Sequence, residues 1–111
     1  MTLKPSMREK WRYIAFRLEA EGELGASEAK DGIEKGIIRF LGELGASMAK
    51  PKVLEYDAQK CEGIVRCETA GVGGVRAGLA LINNLGGKRC AVRTLKTSGT
   101  ILSLREKQQA I

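Results

Sequence analysis

The chain of 111 residues contains no histidine, and this absence removes several kinds of chemistry at once. Without an imidazole it has no histidine general base, no histidine–cysteine nucleophile pair and no histidine metal ligand. The three cysteines, Cys61, Cys67 and Cys90, have spacings that fit neither a zinc module nor a disulfide framework. We interpret them as small apolar residues in a reducing compartment.

Long apolar runs are also missing. No stretch of about 18 apolar residues is present, so the sequence predicts no membrane-spanning helix. The N-terminus is basic but has no apolar run behind it, so no secretory signal is expected. These absences together predict a cytoplasmic protein.

Positive charge is concentrated toward the two ends of the chain. Residues 1–57 balance ten basic residues with ten acidic ones, so the whole net charge of +6 lies in residues 58–111. Residues 18–57 are acidic overall, whereas residues 4–17 and 88–107 are basic. If the fold brings the two ends together, they form a basic patch suited to a phosphate backbone.

The spacing of apolar residues predicts seven elements. Alternating residues over 11–20 predict a strand with Ile14 and Phe16 inward, and helical spacing predicts a helix that Ser27 caps and Gly45 ends. In that helix Phe40 and Leu44 belong to the buried stripe. The later segments are predicted as a hairpin of strands over 52–56 and 61–67 joined by a turn over 57–60, and a helix over 70–85 stopped by Gly86-Gly87. A strand over 88–95 follows and, after residues 96–99, a short helix over 100–108.

This order predicts an α+β fold of the ferredoxin-like, RRM-like type, a β-α-β-β-α-β antiparallel sheet with two packed helices. We expect one domain over 1–111, with a basic N-terminal arm over 1–9 and a short C-terminal helix and tail over 100–111. The face of the sheet away from the two helices is left open or partly covered by this last helix.

RNA-recognition modules of this topology stack bases on aromatic residues of their third and first strands. The third predicted strand here, CEGIVRC, has no aromatic residue. Recognition of single-stranded RNA by stacking is therefore not expected, and structured RNA held through its phosphates fits the basic composition better.

The segment from Lys96 to Thr100 is a candidate phosphate site. A basic residue, hydroxyl groups and a glycine precede the predicted C-terminal helix, so backbone N–H groups there could hold a phosphate. Capping of that helix by Ser98 or Thr100 explains the same residues equally well.

Three stretches carry a resemblance to a known family: REKWRYIAF (8–16), GIVRC (63–67) and INNLGGKRCAVRTLKTSGTILSLREK (82–107). They resemble, in the same order, the archaeal and eukaryotic ribonuclease P protein component 2 family. Two departures stand out, because Thr97 occupies a position where an apolar residue is expected and the second helix is rich in glycine.

The resemblance implies a non-catalytic RNA-binding subunit of ribonuclease P, the ribonucleoprotein endonuclease whose RNA removes the 5′ leader from precursor tRNA. It implies no catalytic residue and no bound metal or cofactor in this chain, with Mg²⁺ held by the RNA component. The implied partners are ribonuclease P RNA, precursor tRNA, the barrel-like protein component 3 in a heterotetramer, and the other protein subunits, with no membrane partner.

The candidate RNA-binding residues are the cationic and hydroxyl side chains of the basic segments and the returning strand. They are Arg8, Lys10, Arg12, Arg17, Arg66, Lys88, Arg89, Arg93, Lys96, Ser98 and Thr100. Either the acidic helix over 28–44 or the hairpin over 52–67 is predicted to dock component 3. Two alternatives stay open: a ferredoxin-like module that binds a small regulatory ligand as a dimer, and a generic structured-RNA-binding protein.

Overall fold

A five-stranded antiparallel sheet in the order β2-β3-β1-β5-β4 organises the protein, and two helices pack on one of its faces. The computed structural model describes residues 10–100. Its elements are β1 (Trp11–Ala20), α1 (Ala26–Ala49), β2 (Lys52–Asp57), β3 (Glu62–Glu68), α2 (Val72–Leu81), β4 (Asn84–Leu85) and β5 (Lys88–Ser98), with a 3-10 turn over Thr69–Gly71 before α2. The predicted α+β fold of the ferredoxin-like type is confirmed.

The core lies between the sheet and the two helices. Ile14 and Phe16 of β1 are fully buried against Ile33 of α1 and Val75 and Leu79 of α2. Tyr13, Ala15 and Arg17 lie on the opposite face of β1, because successive side chains of a strand point to opposite faces. Burying a side chain of the size of Ile14 or Phe16 stabilises the fold by about 1.5–3 kcal/mol, so this layer fixes which face of β1 points inward.

Helix α1 differs from the prediction at both ends and in its middle. Gly25 rather than Ser27 is its N-cap, and the helix continues past Gly45 to Ala49. Gly42 interrupts it with φ 77° and ψ 174°, a conformation that favours glycine. Phe40 and Leu44, predicted as part of the buried stripe, are 46% and 76% exposed, whereas Ile33 and Ile37 are buried as predicted.

The segment after α2 also departs from the prediction. The helix ends at Leu81 rather than at residue 85, and Asn84–Leu85 form a short strand that pairs with the start of β5. Gly86 and Gly87 are the turn of this hairpin, with φ values of 59° and 81°. Positive φ at both central positions is the requirement of the tight hairpin turn whose twist matches that of the flanking strands.

Strand β5 extends three residues further than predicted. Lys96, Thr97 and Ser98 pair with β1, with an irregularity of register at Leu95, so the predicted end of the strand at residue 95 is wrong. Residues 1–9 and 101–111, where the basic arm and most of the C-terminal helix are predicted, lie outside the described residues. None of the described helices is long and apolar enough to cross a membrane.

Candidate nucleic-acid interface

The face of the sheet opposite the helices, here called the outer face, carries most of the candidate residues. Residues directly opposite in an antiparallel pair share a face, so the register defines rows of side chains across this surface. One row contains Lys52, Arg66, Tyr13 and Ser98, and another contains Glu62, Arg17 and Arg93.

The second row combines two arginines with the carboxylate of Glu62, and Glu19 of β1, two residues beyond Arg17, supplies another carboxylate on the same face. Arg17 and Arg93 lie opposite each other on β1 and β5. The Arg17 guanidinium donates to Glu62 at 2.6 Å, and the Arg93 guanidinium lies 3.5 Å from the carboxylate of Glu19. The hydrogen bond with Glu62 raises the pKa of Arg17. Both cations are therefore already partly compensated by neighbours on the same face.

Arg66 on β3 has a different environment. Its guanidinium carbon lies 4.2 Å from the ring centroid of Trp11, the first residue of β1. It makes no hydrogen bond or ion pair within residues 10–100, and its Nε atom is buried without an acceptor. An arginine over an indole face is a favourable cation–π arrangement that leaves the other guanidinium donors available.

An apolar cluster occupies the centre of the outer face. Ala15 and Ile64 are buried there, and Tyr13 and Leu95 pack against them. This cluster was not predicted from the sequence, because Ile64 was assigned only to a returning strand. The alternation that puts Tyr13 and Ala15 on the face opposite Phe16 was the signal that could have found it.

The structure brings some of the predicted basic residues together and separates others. The start of β1 meets the end of β5, because Tyr13 pairs with Ser98 and Arg12 lies against Gly99. Lys10 lies at this same end, since its carbonyl accepts from Thr69, the residue after β3. Arg89 lies near the opposite end, roughly 30 Å away along the ten residues of β1.

Strand β5 joins these two ends as a basic strip, which we define as Arg89, Arg93 and Lys96. The strand contains no acidic residue. Alternation and register place all three side chains on the outer face. Lys88 is not part of the strip, because its ammonium group donates to the carbonyl of Glu23 in the loop after β1.

Strand pairing and a local turn hold the residues of the predicted phosphate site at Lys96–Thr100. Lys96 and Ser98 are strand residues whose outer-face positions are fixed by pairing with β1. The hydroxyl of Ser98 accepts from the backbone N–H of Thr100 at 3.3 Å, which is a local turn rather than a group of free donors. Arg8 lies outside the described residues.

The three thiols are free in the structure. Burial raises the pKa of Cys67 to about 11 and also raises the pKa of Cys90. Within the part of the chain that is described, no group of three or more Cys, Asp or Glu residues is arranged to hold a metal ion.

These features define a class: a small ferredoxin-like α+β protein whose sheet face opposite α1 and α2 carries a basic strip beside a Trp–Arg pair. The sequence model of the Rpp14/Pop5 family matches residues 12–109, and the chain belongs to this family. The predicted resemblance is thereby confirmed.

Relatives of the chain include proteins named Ribonuclease P protein component 2. The one from Pyrococcus abyssi is 43% identical over 106 residues, which is 96% of this chain and 90% of the relative. The one from Methanocaldococcus jannaschii is 39% identical over 100 residues, which is 90% of this chain and 73% of the relative.

A solved structure shares the fold. A chain in the cryo-EM structure of yeast ribonuclease MRP superposes with a TM-score of 0.65 at 12% sequence identity. The match covers 96% of this chain and 94% of the yeast chain.

Proposed function

We propose that this chain is a non-catalytic RNA-binding subunit of ribonuclease P, which supports the catalytic RNA in removing the 5′ leader from precursor tRNA. The observation that carries the proposal is the identity of 43% over 96% of the chain to a protein named Ribonuclease P protein component 2. The basic strip on β5 supports it, since an elongated row of cations suits a phosphate backbone.

The proposed mechanism is electrostatic. Folding an RNA core brings phosphates together, and their mutual repulsion opposes compaction. Arg89 and Arg93 sit at fixed positions on a rigid strand, so they neutralise phosphates without the cost of collecting mobile ions. The RNA holds the Mg²⁺ that serves the chemistry, and the protein lowers the Mg²⁺ concentration at which the RNA keeps its active shape.

The proposed protein partner is the barrel-like component 3, in a heterotetramer that other ribonuclease P subunits join. We place the docking surface on α1 rather than on the hairpin of β2 and β3. The reason is that Phe40, Leu44 and Met48 of α1 expose apolar side chains, away from the basic strip. Exposed apolar residues grouped on one element are typical of protein interfaces.

Reconstitution tests the proposal. Ribonuclease P RNA, component 3 and this chain are combined, and removal of the leader from precursor tRNA is measured over a Mg²⁺ series. We expect the complete mixture to work at lower Mg²⁺ than RNA with component 3 alone, and we expect Arg89→Ala with Arg93→Ala to reverse much of that gain. A chain that binds ribosomal RNA equally well and leaves the Mg²⁺ requirement unchanged would be a generic RNA-binding protein instead.

A further inference from the structure

We propose that Trp11, Arg66 and Tyr13 form a stacking site for one unpaired base of the bound RNA. This inference deepens the proposed function and rests on it, because it names the part of the RNA that this end of the outer face recognises. It also revises the expectation that stacking is absent, which was based on the lack of an aromatic residue in β3.

Three planar side chains lie close together at this end of the outer face. The guanidinium of Arg66 lies 4.2 Å from the centroid of the Trp11 ring, so β3 contributes a flat cation where a related module would carry an aromatic ring. Tyr13 lies beside Arg66 in register on β1, on the same face. Bases stack on arginine planes as well as on aromatic rings, so three planar side chains on one rigid face form a platform for a base.

Arg66 also differs from the other arginines of this face in its charge environment. Arg17 and Arg93 on the same face each have a carboxylate partner, whereas Arg66 has no hydrogen-bonding or ionic partner among residues 10–100. Glu68 lies opposite Trp11 in register, yet it forms no ion pair with Arg66. Lys52 extends the row on the other side of Arg66. The site therefore favours an anionic ligand.

A nucleotide that is not base-paired satisfies both requirements. Its base offers a flat surface for Arg66, Trp11 and Tyr13, and its phosphate offers acceptors for Arg66 and Lys52. A continuous duplex does not fit, because its bases are already stacked inside the helix and their flat faces are not available to a protein surface.

The chain has one tryptophan, so Trp11 reports directly on its own surroundings. The full chain is titrated with a ten-nucleotide oligouridylate and, separately, with a blunt-ended RNA duplex of the same strand length, which has no unpaired base. We expect the single strand to change Trp11 fluorescence on binding and the duplex to bind without that change. Equal changes with both RNAs, or binding of the single strand with no change, would overturn the inference.

Variants separate stacking from charge. Arg66→Lys keeps the charge but removes the plane, so we expect affinity for the single strand to fall roughly tenfold while affinity for the duplex is nearly unchanged. The matched control is Arg17→Lys on the same face, which should affect both RNAs alike. Trp11→Phe should keep the affinity for oligouridylate and Trp11→Leu should lose it, with thermal unfolding confirming that each variant is folded.

The same titrations with ribonuclease P RNA distinguish failure of the stacking site from failure of the proposed function. Tight binding of that RNA with no change at Trp11 and no effect of Arg66→Lys would leave the proposed function intact and refute the stacking site. A chain that binds none of the three RNAs would refute both.

Discussion

Phe16 on β1 and Gly63 on β3 lie opposite each other in register, and the Phe16 ring fills the space that a side chain at Gly63 would need. A Cβ atom at Gly63 would come within 2.6 Å of the Phe16 ring and 2.7 Å of the Glu55 carbonyl oxygen. The ring also stacks on Tyr56 at a centroid distance of 6.2 Å. The absence of a side chain at residue 63 therefore lets β3 lie flat against the largest residue of the core.

Gly63→Ala is expected to destabilise the protein. One methyl group has no room between a buried ring and the backbone of β2, and overpacking of this kind costs about 1–3 kcal/mol. The free energy of unfolding in urea measures the effect. Gly73→Ala in α2 is the control, since nothing lies within 4 Å of its Cβ position and a helix gains about 0.5–1 kcal/mol from the same change. Similar losses in both variants would contradict the packing argument.

Loss of cations from the basic strip should weaken binding to ribonuclease P RNA in a salt-dependent way. Arg89→Ala and Arg93→Ala each remove about one phosphate contact, so the slope of log K against log salt should become shallower by about one in each variant. Lys35→Ala serves as control, because Lys35 pairs with Asp31 on α1, at the other side of the molecule. Unchanged slopes in both arginine variants would refute the assignment of these residues.

Removal of a carboxylate from the outer face should act in the opposite direction. Glu62→Gln keeps an acceptor oxygen beside Arg17 but removes the negative charge that compensates this arginine at 2.6 Å and repels phosphates. We expect RNA affinity to rise several-fold at low salt and the gain to shrink as salt screens the charges. Binding curves at two salt concentrations test this. The idea that Arg17 faces RNA fails if affinity is unchanged at both.

The stability of the fold should decrease in alkaline solution. Burial, with a smaller effect of Cys61, raises the pKa of Tyr56 to about 12 from 10.0, and burial raises that of Cys67 to about 11 from 9.0. The folded state holds these two protons more tightly than the unfolded state does, so the protonated groups stabilise the fold. This stabilisation is complete below pH 9.0 and is lost as pH rises through 11 for the thiol and 12 for the phenol.

The unfolding free energy measured across this alkaline range checks the prediction. Tyr56→Phe should flatten the decline above pH 10.0, since phenylalanine has no proton to lose. The same decline in the variant as in the parent chain would show that other groups are responsible.

Exposed apolar residues on α1 should matter for association rather than for folding. Leu44 and Met48 are 76% and 67% exposed, so Leu44→Gln and Met48→Gln should change the unfolding free energy by less than about 0.5 kcal/mol. Both should weaken capture of component 3 in a pull-down with purified proteins. Ile37→Ala, at a fully buried position of the same helix, should instead cost about 2–5 kcal/mol of stability. Undiminished capture by both glutamine variants would move the docking surface elsewhere.

Strong local patterns made parts of this fold predictable. The alternation around Ile14 and Phe16 identified β1, and the turn at residues 57–60 identified the hairpin of β2 and β3. In this turn the Asp57 carboxylate accepts from the backbone N–H groups of Gln59 and Lys60. Gly86-Gly87 was recognised as a terminator but not as a hairpin turn, because two glycines satisfy either role and the strand of two residues before them has no periodicity to detect.

The residues of the candidate site could be predicted from the sequence, but the partners of those residues could not. Arg17, Arg66, Arg89, Arg93 and Lys96 were all identified from charge, and the structure places their side chains on one face. Composition does not reveal which of them has a partner. The carboxylates of Glu19 and Glu62 reach Arg93 and Arg17 through strand pairing, and Arg66 meets Trp11 only because β1 and β3 are neighbours.

The sequence by itself determined the order of the longer elements, the inward face of β1 and the concentration of positive charge in β5, because these depend on side-chain periodicity and composition over a few residues. Tertiary structure decided which charges are compensated, where α1 breaks and which aromatic residue meets an arginine. Those outcomes depend on contacts between residues far apart in the chain, such as Trp11 with Arg66 and Arg17 with Glu62. Such residues come within a few ångströms of each other only through the register of the paired strands.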